Sequence, residues 1–154
     1  SGKTFFVQKI IDKLSSLNLK VASIKHAHHD FEIDHADTDG FLHRKAGSLQ
    51  VIISSSKRWA KISELKKSEE KSLSFLINEL ENPDIVIVEG YKKENHLKIE
   101  IIKNPNDSST FLFNDLKNVK AIISDKEIKS FKKKQFKKNQ INEIVDYILN
   151  FKNE

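Results

Sequence analysis

The chain has 154 residues, 38% hydrophobic and 32% charged, enough for one substantial core and too apolar for a disordered tail. No apolar run approaches the roughly 18 residues a membrane helix needs, so no membrane partner is expected, and no signal-peptide pattern is visible. It contains no cysteine, which removes disulfides, thiolate metal sites and a cysteine nucleophile, and makes a cytoplasmic location the default.

The net charge of +5 is local: residues 126–138 hold seven Lys and one Glu, leaving 20 basic against 21 acidic residues elsewhere. Such a run suits nucleic acid, an anionic surface or an acidic partner, but a solvated Lys-rich linker is the simpler reading, and nucleic acid is the least favoured partner.

The chain opens on Ser1-Gly2-Lys3-Thr4, the closing half of a phosphate loop of the form G-x-x-x-x-G-K-[ST]. There, backbone N–H groups cradle phosphates, the Lys reaches the β/γ-phosphates and the hydroxyl ligates Mg²⁺. The motif's opening glycine and the strand that feeds it are missing from these residues. From Phe5 to Leu17 apolar side chains recur at Phe6, Val7, Ile10, Ile11, Leu14 and Leu17, the stripe of an amphipathic helix. A phosphate loop empties into such a helix, whose N-terminus favours anions; the alternative is a helix start that binds nothing.

Asn18 suits the helix end, and residues 20–24 read as a buried strand. Residues 25–40 then hold four His, four Asp and one Glu, a long polar loop of the kind that is usually functional. Residues 41–47 look like a short helix closed by Gly47. Strands are expected at 50–54 and 57–62, and a helix over 65–80 that buries Leu73, Leu76, Ile77 and Leu80 and stops at Asn82-Pro83. Residues 84–88 form the most strand-like run of the chain, with the pattern of a central parallel strand buried on both faces, and end in Glu89-Gly90. A half-exposed strand at 97–102, a turn at 104–107, a buried strand at 119–125 ending in the acid Asp125, and a helix over 139–151 complete the chain. The pattern predicts an α/β fold, a P-loop NTPase-like, mostly parallel twisted sheet flanked by helices. It forms a single domain over 1–154, with the Lys-rich segment 126–138 before the C-terminal helix.

Nucleoside triphosphate chemistry needs a Lys against the phosphates, a hydroxyl on Mg²⁺ and an acid at the tip of a neighbouring hydrophobic strand. Gly2, Lys3 and Thr4 supply the phosphate contacts, Thr4 and Glu89 the Mg²⁺ ligands, and Lys3 and Glu89 the catalytic pair; an exposed strand-end acid is the plainer reading of Glu89. Asp125 is left as a loop acid. The loop residues His26, His28, His29, Asp30, Asp34 and His35 resemble a metal cluster in composition, but their spacing fits no compact metal template. A switch-like loop facing phosphate and Mg²⁺, extended by Asp39, His43 and Arg44, is favoured over a merely solvated one. Arg58-Trp59 offers a partner-binding anchor, but an ordinary half-buried Trp is the favoured reading.

Taken together, these residues resemble one family, the molybdopterin-guanine dinucleotide biosynthesis adaptor proteins, MobB. The resemblance runs through Gly2-Lys3-Thr4, Ile24-Lys25-His26-x-His28-His29-Asp30-Phe31, and Asp39 with His43-Arg44-Lys45-Ala46-Gly47. It continues through Arg58-Trp59, Val88-Glu89-Gly90-Tyr91-Lys92 and Lys98-Ile99-Glu100, and so covers residues 1 to about 125. It implies a P-loop GTP-binding protein, at most a weak Mg²⁺-dependent GTPase. Such a protein forms a homodimer and acts beside the molybdenum-cofactor guanylyltransferase and related cofactor-maturation enzymes. A non-catalytic dimeric scaffold and a P-loop small-molecule kinase remain as alternatives.

Overall fold

The computed structural model describes residues 2–67 and 69–151. Ser1, the first residue of the phosphate-loop fragment, and Ser68, within the helix expected over 65–80, lie outside the described residues. The chain packs as two compact units: one takes the chain as far as His26 and again from Ile77 onward, the other is Ala27–Leu76.

In the larger unit, α1 (Gly2–Ser16) buries Phe6, Ile10 and Leu14, successive positions four apart on one helix face. Leu17, expected on that stripe, is largely exposed, because the helix has ended: Asn18 takes φ 61 and closes it. Strand β1 (Val21–Lys25) pairs in parallel with β4 (Ile85–Glu89), in step from Val21↔Ile85 to Lys25↔Glu89. Its entry is fixed by the Lys20 N–H donating to Asp84 Oδ2 at 2.7 Å and the Asp84 N–H to the Lys20 carbonyl at 2.8 Å. A second sheet, also parallel, has the order β5 (Lys98–Ile101), β6 (Val119–Ile123), β7 (Lys134–Phe136).

Both sheets share one core. Phe6, Ile10 and Leu14 of α1 meet Ala121 and Ile123 of β6, Phe136 of β7, and Ile144 and Val145 of α4 (Ile141–Leu149). Val21, Ile85, Ile87, Ile99 and Ile101 pack against that cluster. A second cluster, built from Ile102, Phe111, Val119, Ile122, Ile128 and Phe131, also draws on β6. The strand buried on both sides is therefore β6, not β4: every residue of β4 is only half-buried. The reason is position, since β6 lies between two strands, whereas β4 has only β1 beside it among the described residues.

The Lys-rich stretch is not a solvated linker. Ile128, Phe131 and Phe136 are buried, and the side-chain amide of Gln135 bridges the backbone. Gln135 Oε1 accepts from the Ile128 N–H at 2.9 Å while Nε2 donates to the carbonyls of Ile128 and Phe131.

In the smaller unit, α2 (Asp39–Lys45) closes through Gly47, whose φ of +109 suits glycine. The Ser48 N–H donates to the His43 carbonyl and the Gly47 N–H to that of Arg44, both at 3.0 Å, a Schellman closure. Strands β2 (Gln50–Ser54) and β3 (Trp59–Ser63) form an antiparallel hairpin. The helix expected over 65–80 is only α3 (Leu73–Asn78), which contains the boundary between the units. Ser72 starts it by accepting the Phe75 N–H on its hydroxyl at 3.2 Å, and the charged residues before it stay non-helical.

Candidate functional site

Since α1 begins at Gly2, Lys3 and Thr4 fall in its first turn, where backbone N–H groups lack intrahelical partners. The parallel register of β1 and β4 carries Lys25 and Glu89 to the same, carboxyl, edge as the last rung of the ladder. There the Lys25 ammonium lies 3.2 Å and the Lys3 ammonium 3.9 Å from one oxygen, Glu89 Oε1. The Glu89 side chain is 12% exposed, against 45% for Lys3 and 63% for Lys25. Ion pairs to lysines this exposed contribute only about 0–1 kcal/mol each, too little to hold the strands; the backbone ladder does that.

The edge is built tightly around Glu89. The His26 N–H donates to the Glu89 carbonyl at 2.8 Å, extending the pairing by one bond. Gly90 follows with φ +96, and a Cβ there would sit 2.7 Å from the Cβ of His26. Tyr91 also takes a positive φ, 52, and its ring stacks on the His26 imidazole, with centroids 4.3 Å apart and planes 14° from parallel. Both strand tips are thereby fixed to each other through one glycine and one aromatic pair.

Lys3 and Glu89, expected to act together, are thus adjacent, and Lys25, which the sequence did not single out as a site residue, joins them. A carboxylate and a hydroxyl, Glu89 and Thr4, are the hard oxygen donors that Mg²⁺ takes when phosphate oxygens and water complete its shell. Among the described residues no group of three or more His, Asp or Glu is arranged to hold a metal ion.

Of the expected loop residues, only His26 belongs to the same unit as Glu89. His28, His29, Asp30, Asp39 and His43 are exposed in the smaller unit. Arg44 is engaged there by three carboxylates. Nη2 donates to Asp34 Oδ1 and to Glu32 Oε2, both at 2.5 Å, Nε to Asp34 Oδ2 at 3.2 Å, and Nη1 to Glu64 Oε1 at 2.7 Å. The hydrogen bonds from Arg44 hold the Asp34 carboxyl below its usual range, and Asp34 in turn raises the guanidinium further. Glu32, Asp34 and Glu64 lie 10 to 20 residues from Arg44, so no local spacing reveals the clamp. Trp59 is 62% exposed rather than half-buried, on the same hairpin face as the exposed Ile52, with Arg58 beside it.

Comparison with known proteins bears on the same residues. The family model described as MobB, "Molybdopterin guanine dinucleotide synthesis protein B", matches residues 1–125. The molybdopterin-guanine dinucleotide biosynthesis adapter protein of Escherichia coli (strain K12) is 36% identical over 106 residues, 68% of this chain and 61% of the relative. Its namesake from Haemophilus influenzae is 38% identical over 96 residues, 61% and 53% of the two chains. The chain thus spans between half and two thirds of the length of these relatives. Among solved structures, a crystal structure of molybdopterin-guanine biosynthesis protein B is similar at TM-score 0.75 and 25% identity, over 97% of this chain and 92% of that one. A Bacillus subtilis MobB structure is similar at TM-score 0.74 and 23% identity, over 99% and 93%. The fold is α/β of the P-loop NTPase-like kind, with parallel sheets flanked by helices.

Proposed function

This chain belongs to the MobB family, molybdopterin guanine dinucleotide synthesis protein B, and on that premise we propose that it is a GTP-binding adaptor in the synthesis of molybdopterin guanine dinucleotide. One observation carries the nucleotide part of this reading: Lys3, in the first turn of α1, lies 3.9 Å from Glu89 at the tip of β4. A phosphate-binding lysine and a metal-holding acid must meet in that way.

In this reading Gly2 lets the chain approach the phosphates closely, Lys3 sets its ammonium against their oxygens, and Thr4 and Glu89 hold Mg²⁺. Bound Mg²⁺ neutralises charge on the phosphates. Glu89 also orients the attacking water, and the activity is at most a slow GTP hydrolysis. His26 supports Glu89 from the neighbouring strand tip. The exposed His28, His29, Asp30, Asp39 and His43 form the switch-like surface, and Arg44 holds the loop that carries it. The protein acts in the cytoplasm as a homodimer, beside the molybdenum-cofactor guanylyltransferase and related maturation enzymes. No helix among the described residues is long and apolar enough to cross a membrane.

The test is nucleotide titration of the full-length protein with and without Mg²⁺. GTP is expected to bind in a Mg²⁺-dependent way, and Lys3→Ala to weaken it roughly tenfold or more, the loss expected of a charge-assisted contact. A wild type that binds neither GTP nor ATP, or an equally tight Lys3→Ala variant, overturns the reading.

A second reading, a scaffold without catalysis, draws support from the uncovered hairpin face carrying Ile52 and Trp59. It predicts that Glu89→Gln leaves capture of the partner enzyme intact and that no GTP is hydrolysed by the wild type. A small-molecule kinase would instead pass phosphate to an acceptor.

A further inference from the structure

We propose that Lys25 is a second phosphate-binding lysine of this site, held on Glu89 until an anion takes it. This rests on the nucleotide reading above and adds to it a residue that determines how many phosphates the site prefers. The starting point is that two ammonium groups, on Lys3 and Lys25, converge on a single carboxylate oxygen, Glu89 Oε1. One carboxylate neutralises one of them, so these three groups together carry one net positive charge.

The geometry favours release of Lys25 rather than its permanent pairing with Glu89. Its backbone is fixed as the last rung of the β1–β4 ladder, while its side chain is 63% exposed. Its reach is therefore set by the strand and its ammonium is free to swing. An exposed pair of this kind is weak, and a phosphate oxygen, which carries more charge than half a shared carboxylate, displaces it. Lys3 and Lys25 also come from two different elements, the first turn of α1 and the end of β1. They approach Glu89 from separate backbones and are able to grip different phosphate groups of one chain. With Glu89 engaged by a divalent cation, Lys3 and Lys25 would lose their shared carboxylate and be available to the phosphates. Lys25 therefore matters most for the ligand with the most phosphates.

The experiment compares wild type, Lys25→Ala, Lys25→Arg, Lys3→Ala and Lys20→Ala in full-length protein, titrated with GTP, GDP and GMP in the presence of Mg²⁺. Lys20→Ala removes the same charge just before the opposite end of that strand and controls for bulk electrostatics. Lys25→Ala is expected to weaken GTP roughly tenfold, GDP less and GMP least, with Lys25→Arg close to wild type and Lys20→Ala unchanged. If wild type binds and Lys3→Ala abolishes binding while Lys25→Ala matches wild type, the Lys25 assignment is wrong and the nucleotide site stands. An equal loss for all three nucleotides, or an equal loss in Lys20→Ala, also overturns it. A wild type that binds no nucleotide overturns both readings.

Discussion

A side chain on Gly90 would begin 2.7 Å from the Cβ of His26, closer than two such carbons ever sit. The contact joins the residue after β4 to the residue after β1, so it bears directly on where Glu89 points. Gly90→Ala meets two obstacles, this clash and a φ of +96 that L-residues rarely adopt. The expected loss is about 1–3 kcal/mol, read as a lower melting temperature together with weaker Mg²⁺-dependent nucleotide binding. An alanine variant as stable as wild type would show that the two strand tips are not locked together.

The Arg44 clamp makes the smaller unit sensitive to acid. Asp34 is held below its usual value, so the unfolded chain binds a proton at this position more readily than the folded one. Its stabilisation is present above about pH 4 and is lost as pH falls through the folded value. Asp34→Asn is expected to melt lower than wild type at neutral pH, and the two curves converge in acid. Thermal melts over a pH series check this; a difference that stays constant with pH would sink it.

His96 titrates with the opposite chemistry but the same slope. Its Nδ1 is buried without a hydrogen-bond partner, and burial, with the neighbouring Lys98 ammonium, pushes the imidazole below its usual range. The ammonium of Lys98 is itself enclosed by the carbonyls of Glu94, His96 and Lys117. A proton on His96 costs stability, so stability rises with pH between the folded value and about 6.5. His96→Phe is expected to flatten that part of the pH–stability curve, measured by denaturant unfolding at stepwise pH.

Glu100 supports the second core cluster. Its carboxylate accepts the N–H groups of Leu112 at 2.7 Å and Phe113 at 2.8 Å, the start of a short 3₁₀ turn. Burial pushes its carboxyl up, against those two hydrogen bonds. Glu100→Ala strands two donors and is expected to cost about 1–3 kcal/mol, whereas Leu14→Ala, at a fully buried position facing α4, is expected to cost about 2–5 kcal/mol. Urea unfolding of both variants ranks them.

Local periodicity made α1 legible, because the spacing of Phe6, Ile10 and Leu14 is both the sequence signal and the packing surface. Glu89 was legible for a similar reason: a β-branched run that ends in an acid places that acid at a strand tip. Lys25 was not, since its place beside Glu89 comes from the register of β1 against β4, whose partners lie 64 residues apart in sequence. Nor was β7, where Lys134-Gln135-Phe136 has little strand character and is extended because β6 offers it an edge and Phe136 a place in the core. The overlong helix expected over 65–80 failed at Ser72, whose hydroxyl favours a start over a continuation.

The Gln135 bridge changes how a lysine-directed protease would meet this protein. Residues 126–138 offer trypsin seven cleavage sites in thirteen residues, the densest target in the chain. Cleavage, however, requires several residues of backbone to unfold into the enzyme's groove, and here that backbone is pinned by one amide, two buried phenylalanines and a strand pairing. The segment richest in cut sites is accordingly expected to survive limited digestion until the larger unit opens as a whole.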